Sequence, residues 1–152
     1  MFKVILTGVF LLSCKAVVSL NENGLVLLSA TRQQLYTGVK GGGVITEYNL
    51  SIKVRTNQPL HIDSAWVDKQ KFPVRILKGE AFHPTLNTQS EDTLLLVFSA
   101  HAMDPAAGTH KQTEDHPPVS YKGAALLRYY QGNKPKYLIV PEFIELEPVY
   151  AP

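Results

Sequence analysis

The chain has 152 residues, with 15 Lys and Arg against 13 Asp and Glu, a net charge of +2 and one cysteine. That length suits a single domain, and the charge balance excludes a strongly basic nucleic-acid binder and an acidic disordered tail. A composition 45% hydrophobic and 18% charged can form a core, and a lone cysteine excludes an internal disulfide framework.

Residues 1–13 read as a signal peptide. Lys3 is a short positive region, and Val4 to Leu12 is an apolar run of nine residues. A helix needs about 20 apolar residues to cross a bilayer, so the run is a secretory signal and not a span. It ends in Leu11-Leu12-Ser13-Cys14, which resembles the lipobox of bacterial lipoproteins, with Leu12 where a small residue is commonest. The resemblance implies that Cys14 is acylated and becomes the first residue of the mature chain. Residues 14–23 would then be the lipidated cysteine and a tether. Acyl chains contribute about 0.8 kcal/mol per buried CH₂, so several of them anchor the chain without spanning the membrane. Ordinary signal-peptidase cleavage after Ser19, with Val17 and Ser19 as the small residues, and an uncleaved anchor are the alternatives.

From residue 24 to 152 the pattern is that of strands. Gly24 to Thr31 and Gln34 to Thr37 open it, and GVKGGG (38–43) reads as a hinge or strand crossover. In Ile45 to Thr56, Tyr48, Leu50, Ile52 and Val54 alternate with Asn49, Ser51, Lys53 and Arg55. Period-two alternation predicts one buried and one wet face. Asn57-Gln58-Pro59 reads as a turn, and Leu60, Ile62 and Trp66 continue the alternation, with Trp66 as the central core aromatic. Alternatively, Trp66 is part of a platform for sugars or peptides with Tyr121, Tyr129, Tyr130 and Tyr137. After a turn at Asp68 to Gln70, Phe72, Val74 and Ile76 line a third strand, so the three form an expected meander. Pro73 marks an edge position, because it cannot donate to a ladder. Residues 78–90 read as a loop. Thr93 to Ala100 is apolar on both faces and predicts a central strand. Tyr121 to Tyr130 and Lys136 to Pro141 flank a five-residue hairpin loop, Gln131 to Pro135. The expected fold is all-β: a single immunoglobulin-like antiparallel β-sandwich of about seven or eight strands.

Chemistry concentrates in the insertion His101 to Ser120, HAMDPAAGTHKQTEDHPPVS. His101, His110 and His116 are imidazole donors, and Met103 adds a thioether on the same side of an extended strand as His101. Such groups suit zinc or copper. The histidine spacings of nine and six match no metal motif such as H-E-x-x-H. The segment reads otherwise as a solvated polar loop, or as a recognition loop on a rigid scaffold. GVKGGG lacks the G-K-[ST] ending of a phosphate loop, and no G-x-S-x-G elbow is present. His61 and Asp63 share a strand face and could do acid–base work, or make a solvated cross-strand contact. Tyr129 and Tyr130 are adjacent, so one must face outward. That tyrosine, with Tyr137 across the hairpin, suggests a binding face, or a cross-strand stabilising pair. Glu142, Glu145 and Glu147 read as solvated surface.

The lipobox, YNLSIKVRTNQPLHIDSAWV and YKGAALLRYYQGNKPKYLIVPEF together resemble small lipoproteins of Bacteroidetes, of flavobacterial type. The matching positions are Ile62, Asp63 and Trp66, then Tyr121 to Leu126, then Lys136 to Phe143. The resemblance implies a lipid-anchored β-sandwich of a Gram-negative envelope and brings no catalytic residue. The resulting expectation is a non-enzymatic binding or structural module on the outer membrane, facing the periplasm. Its partners are the membrane, through the lipid, and an envelope protein or a peptidic or glycan ligand, but no nucleic acid. An exported zinc or copper protein using His101, Met103, His110 and His116 is the alternative.

Overall fold

A computed structural model of the chain describes residues 24–38, 43–78, 81–83, 85–86, 90–102 and 115–151. Among these residues there is no helix. The strands are β1 (Leu25–Tyr36), β2 (Val44–Val54), β3 (Leu60–Val67), β4 (Gln70–Pro73), β5 (Arg75–Lys78), β6 (Ala81–His83), β7 (Thr85–Leu86), β8 (Thr93–Ala102), β9 (Ala125–Gln131), β10 (Lys134–Val140), β11 (Ile144–Glu145) and β12 (Val149–Tyr150). One sheet runs β11-β1-β2-β8-β5-β6, with β12 also on β1, and the other runs β10-β9-β3-β4, with β7 also on β3. The eight principal strands, β1-β2-β8-β5 against β10-β9-β3-β4, follow the A-B-E-D and G-F-C-C′ order of an immunoglobulin-like sandwich.

Period-two patterning explains the core. Tyr48, Leu50, Ile52 and Val54 of β2 are buried, and β8 sets Phe98, Leu96 and Leu94 opposite the first three. From the second sheet come Leu60, Ile62, Ala65 and Val67 of β3, Phe72 of β4, Leu127 and Tyr129 of β9, and Leu138 and Val140 of β10. Each fully buried aliphatic side chain contributes about 1.5–3 kcal/mol. Tyr48 stacks on Phe98 at 5.0 Å and meets Phe143 at 5.0 Å, closing one end of the core.

Several connections differ from the expected meander. β2 and β3 belong to different sheets, so Asn57-Gln58-Pro59 is a crossover between layers and not a hairpin turn. The run from Phe72 to Ile76 is likewise split. Pro73 ends β4, at the edge of one sheet as its missing N–H requires, and β5 begins two residues later in the other. Phe72 and Ile76 nevertheless enter the same core. Residues 78–90 include the short strands β6 and β7. β9 starts at Ala125, four residues later than expected from the apolar run.

The β9–β10 hairpin is tighter than the five-residue loop expected. Gln131 pairs directly with Lys134, leaving Gly132-Asn133 as a two-residue turn with Gly132 at φ 63°. Glycine first with positive φ is the pattern of a type II′ turn. Pro135 is accommodated because β10 is an edge strand. The β3–β4 turn has Asp68 at φ 48° and Lys69 at φ 68°, as a type I′ turn demands.

The chain then leaves β10 and runs parallel to the edge of β1. Leu146 N–H donates to the Arg32 carbonyl at 2.8 Å and Ala151 N–H to that of Tyr36 at 2.9 Å. Glu145, read from the sequence as solvated surface, receives Arg32 Nε at 2.8 Å and Nη2 at 2.6 Å. Tyr150 stacks on Tyr36 with centroids 4.9 Å apart.

Candidate functional site

Among the described residues, the outer face of the β4-β3-β9-β10 sheet carries a connected polar and aromatic arrangement outside the core. Its origin is a β-bulge in β3. Ile62 pairs with Tyr129 and Ser64 with Arg128, so Asp63 is the extra residue. Before the bulge Leu60 and Ile62 face the core, and after it Ala65 and Val67 do. The inserted residue reverses the alternation. Trp66 is therefore not the central core aromatic expected from regular alternation. It is buried, at 1% exposure, on the other side of the sheet. β9 has no bulge, so Leu126, Arg128 and Tyr130 share that outer face while Leu127 and Tyr129 point inward.

Arg128 organises this face. Its Nε donates to Asp63 Oδ1 at 3.0 Å and its Nη2 to Oδ2 at 2.5 Å, a two-donor grip on a carboxylate that is only about one quarter exposed. Planar guanidinium and planar carboxylate match in this geometry, which fixes both. The hydrogen bonds to Asp63 raise the Arg128 pKa further, against the opposing effect of burial. The guanidinium carbon lies 5.2 Å from the Trp66 ring centre and 5.7 Å from that of Tyr130. Both contacts are within cation–π range.

A strap from residues 115–121 covers Trp66. The indole Nε1–H donates to the Asp115 carbonyl at 2.8 Å, and the Tyr121 hydroxyl donates to the Trp66 carbonyl at 3.3 Å. Lys71 Nζ reaches Asp115 Oδ2 at 2.7 Å and lies 5.8 Å from the Trp66 ring centre. The lysine's hydrogen bond holds the Asp115 carboxyl below its ordinary value, whereas burial pushes the Tyr121 phenol above its own.

Beside Arg128 the face opens into a shallow depression of about 430 Å³ lined by His61, Asp63, Tyr130, Gly132 and Asn133. His61 stands opposite Tyr130 in the ladder, their rings 6.0 Å apart and tilted by 40°. The hairpin turn supplies Gly132 and Asn133, and a Cβ built on Gly132 would meet no atom within 4 Å. This arrangement offers an aromatic ring, a charge-compensated carboxylate, an imidazole and an amide in one open concavity.

The sequence-derived candidates fall in different places. Tyr130 and Tyr137 are half-buried on the outer face, with Tyr137 opposite Arg128 in the register and not opposite Tyr130. Tyr129 lies in the core at 1% exposure, on the far side of the sheet from the other two tyrosines. Burial pushes its phenol pKa up to about 12. His61 and Asp63 do share a face, but Asp63 is engaged by Arg128. His101 belongs to β8, where its backbone pairs with Ile45. Met103, His110 and Cys14 lie outside the described residues, and His116 is exposed. Among the described residues, no three His, Cys, Asp or Glu side chains are grouped so as to hold a metal ion. Trp66, which alternation places in the core, lies on the outer side named in its alternative reading as part of an aromatic platform. Arg128 is not singled out by the sequence. The available signal was a single arginine in the otherwise apolar run Ala124 to Tyr130.

No family model matches the chain, and no curated protein matches it.

Proposed function

We propose that the chain is a non-catalytic binding module of the bacterial envelope, held to the membrane by acylation at Cys14. The outer face of the β4-β3-β9-β10 sheet is its recognition surface. The observation that carries this reading is the depression at His61, Asp63, Tyr130, Gly132 and Asn133, backed by the fixed Arg128–Asp63 pair. Its side chains are held on strands and on a two-residue turn, so little conformational entropy is lost when a ligand orders them. The lipobox-like Leu11-Leu12-Ser13-Cys14 supports the anchor, and the two tyrosines on the outer face support contact with a peptidic or glycan partner.

Two comparisons test the proposal. Wild-type chain is expected in the membrane fraction and Cys14→Ser in the soluble one; a soluble wild type would overturn the anchor. In the Cys14→Ser background, Tyr130→Ala should lower retention on isolated envelopes about tenfold, equivalent to about 1.4 kcal/mol. Thr93→Ala, on the outer face of the opposite sheet, should leave retention unchanged. Equal effects of the two substitutions would overturn the assignment of the face.

A further inference from the structure

Resting on the reading of this face as a binding surface, we propose that the depression at His61, Asp63, Tyr130, Gly132 and Asn133 takes a neutral carbohydrate. Strand pairing argues first against an extended peptide. β3 is paired with β9 on one side and with β4 and β7 on the other, while β9 is paired with both β3 and β10. His61 and Tyr130 pair with each other in the ladder, so the strand backbone at the centre of the depression is committed to the sheet and offers no edge for strand addition there. Recognition here must come from side chains.

Those side chains are balanced in charge. The Asp63 carboxylate is compensated by Arg128, and each of its oxygens keeps a further lone pair for accepting a hydrogen bond. Asn133 brings an amide that both donates and accepts, and Tyr130 a phenol that does the same. Dense hydroxyl groups satisfy such a mixed set without carrying a charge of their own. The Tyr130 ring, backed by Arg128 at 5.7 Å, supplies the flat apolar surface against which the C–H face of a sugar ring packs. Gly132 leaves the rim low, because no side chain stands there. A concavity this open covers only part of a ligand, so the affinity is weak, in the range of about 1 mM.

The test is a nuclear magnetic resonance titration of the full chain in detergent micelles. The probes are maltotriose and chitotriose on one side, tri-alanine and tri-lysine on the other, each to about 10 mM. A saturable shift of the Gly132, Asn133 and His61 resonances with a trisaccharide is expected. Tyr130→Ala should weaken it about tenfold and Tyr130→Phe, which keeps the ring, less than about threefold. Peptides shifting these resonances while the sugars do not would overturn the carbohydrate assignment and leave the binding face standing. Neither class shifting them would overturn both.

Discussion

Arg128 grips Asp63 through Nε and Nη2, at 3.0 and 2.5 Å, and the grip depends on Asp63 being the bulged residue of β3. Asp63→Ala would leave the guanidinium between Trp66 and Tyr130 without its counter-charge. We expect a loss of about 1–3 kcal/mol in chemical denaturation. Removing the guanidinium as well removes the uncompensated charge, so Asp63→Ala with Arg128→Leu should cost less than the two single changes added together. Strict additivity would mean that the pair contributes no coupling.

The strap over Trp66 should respond to acid. Asp115 is held below its ordinary value of 3.8, chiefly by its hydrogen bond from Lys71. Glu91 is held below its ordinary value of 4.5, chiefly by a hydrogen bond from Lys53. A depressed folded-state value means that the stabilisation is in place above the unfolded value and is lost as pH falls through the folded one. Both groups are exposed, so their contributions are small and screened by salt. Trp66 emission should therefore stay blue-shifted at neutral pH and begin to move red only below the ordinary Asp range. Lys71→Met should bring that onset to higher pH, and an unchanged onset would contradict the contact.

Alkali probes the core instead. The Tyr129 phenol is pushed up by burial to about 12, from an ordinary value of 10.0. Between those values the unfolded chain loses the proton and the folded chain keeps it, so stability falls as pH rises. The full shift corresponds to about 2–3 kcal/mol. Spectrophotometric titration should show a late-ionising tyrosine that disappears in Tyr129→Phe. A late phase that is the same in Tyr129→Phe as in wild type would contradict its burial.

Gly123 tests how the site's sheet is locked. A Cβ there would lie 2.6 Å from the Val140 carbonyl oxygen, which accepts from Ala124 N–H at 2.8 Å. Gly123→Ala must displace backbone, and a loss of about 1–3 kcal/mol is expected. A melting temperature equal to wild type would show that the close approach is not required.

Much of the architecture was legible as alternation. Tyr48, Leu50, Ile52 and Val54 predicted the inner face of β2, and Pro73 predicted an edge. What escaped was local and non-periodic. A polar Asn57-Gln58-Pro59 segment looks the same whether it joins paired strands or crosses between sheets. The bulge at Asp63 carries no glycine to mark it, yet it turns Trp66 to the outer face and places Asp63 against Arg128. Of the site, the outward tyrosine and the shared face of His61 and Asp63 could be read from spacing. The Arg128–Asp63 pair could not, because it joins residues 65 positions apart.

The most direct measurement is site-specific photocrosslinking in producing cells, with a photoreactive residue placed at Tyr130 or, separately, at Thr93. Tyr130 borders the depression, and Thr93 is exposed at the start of β8 in the opposite sheet. Adducts formed from position 130 and not from 93 are the expected result. Adducts formed equally from both positions, or from 93 alone, would contradict the outer face of the β4-β3-β9-β10 sheet as the recognition surface.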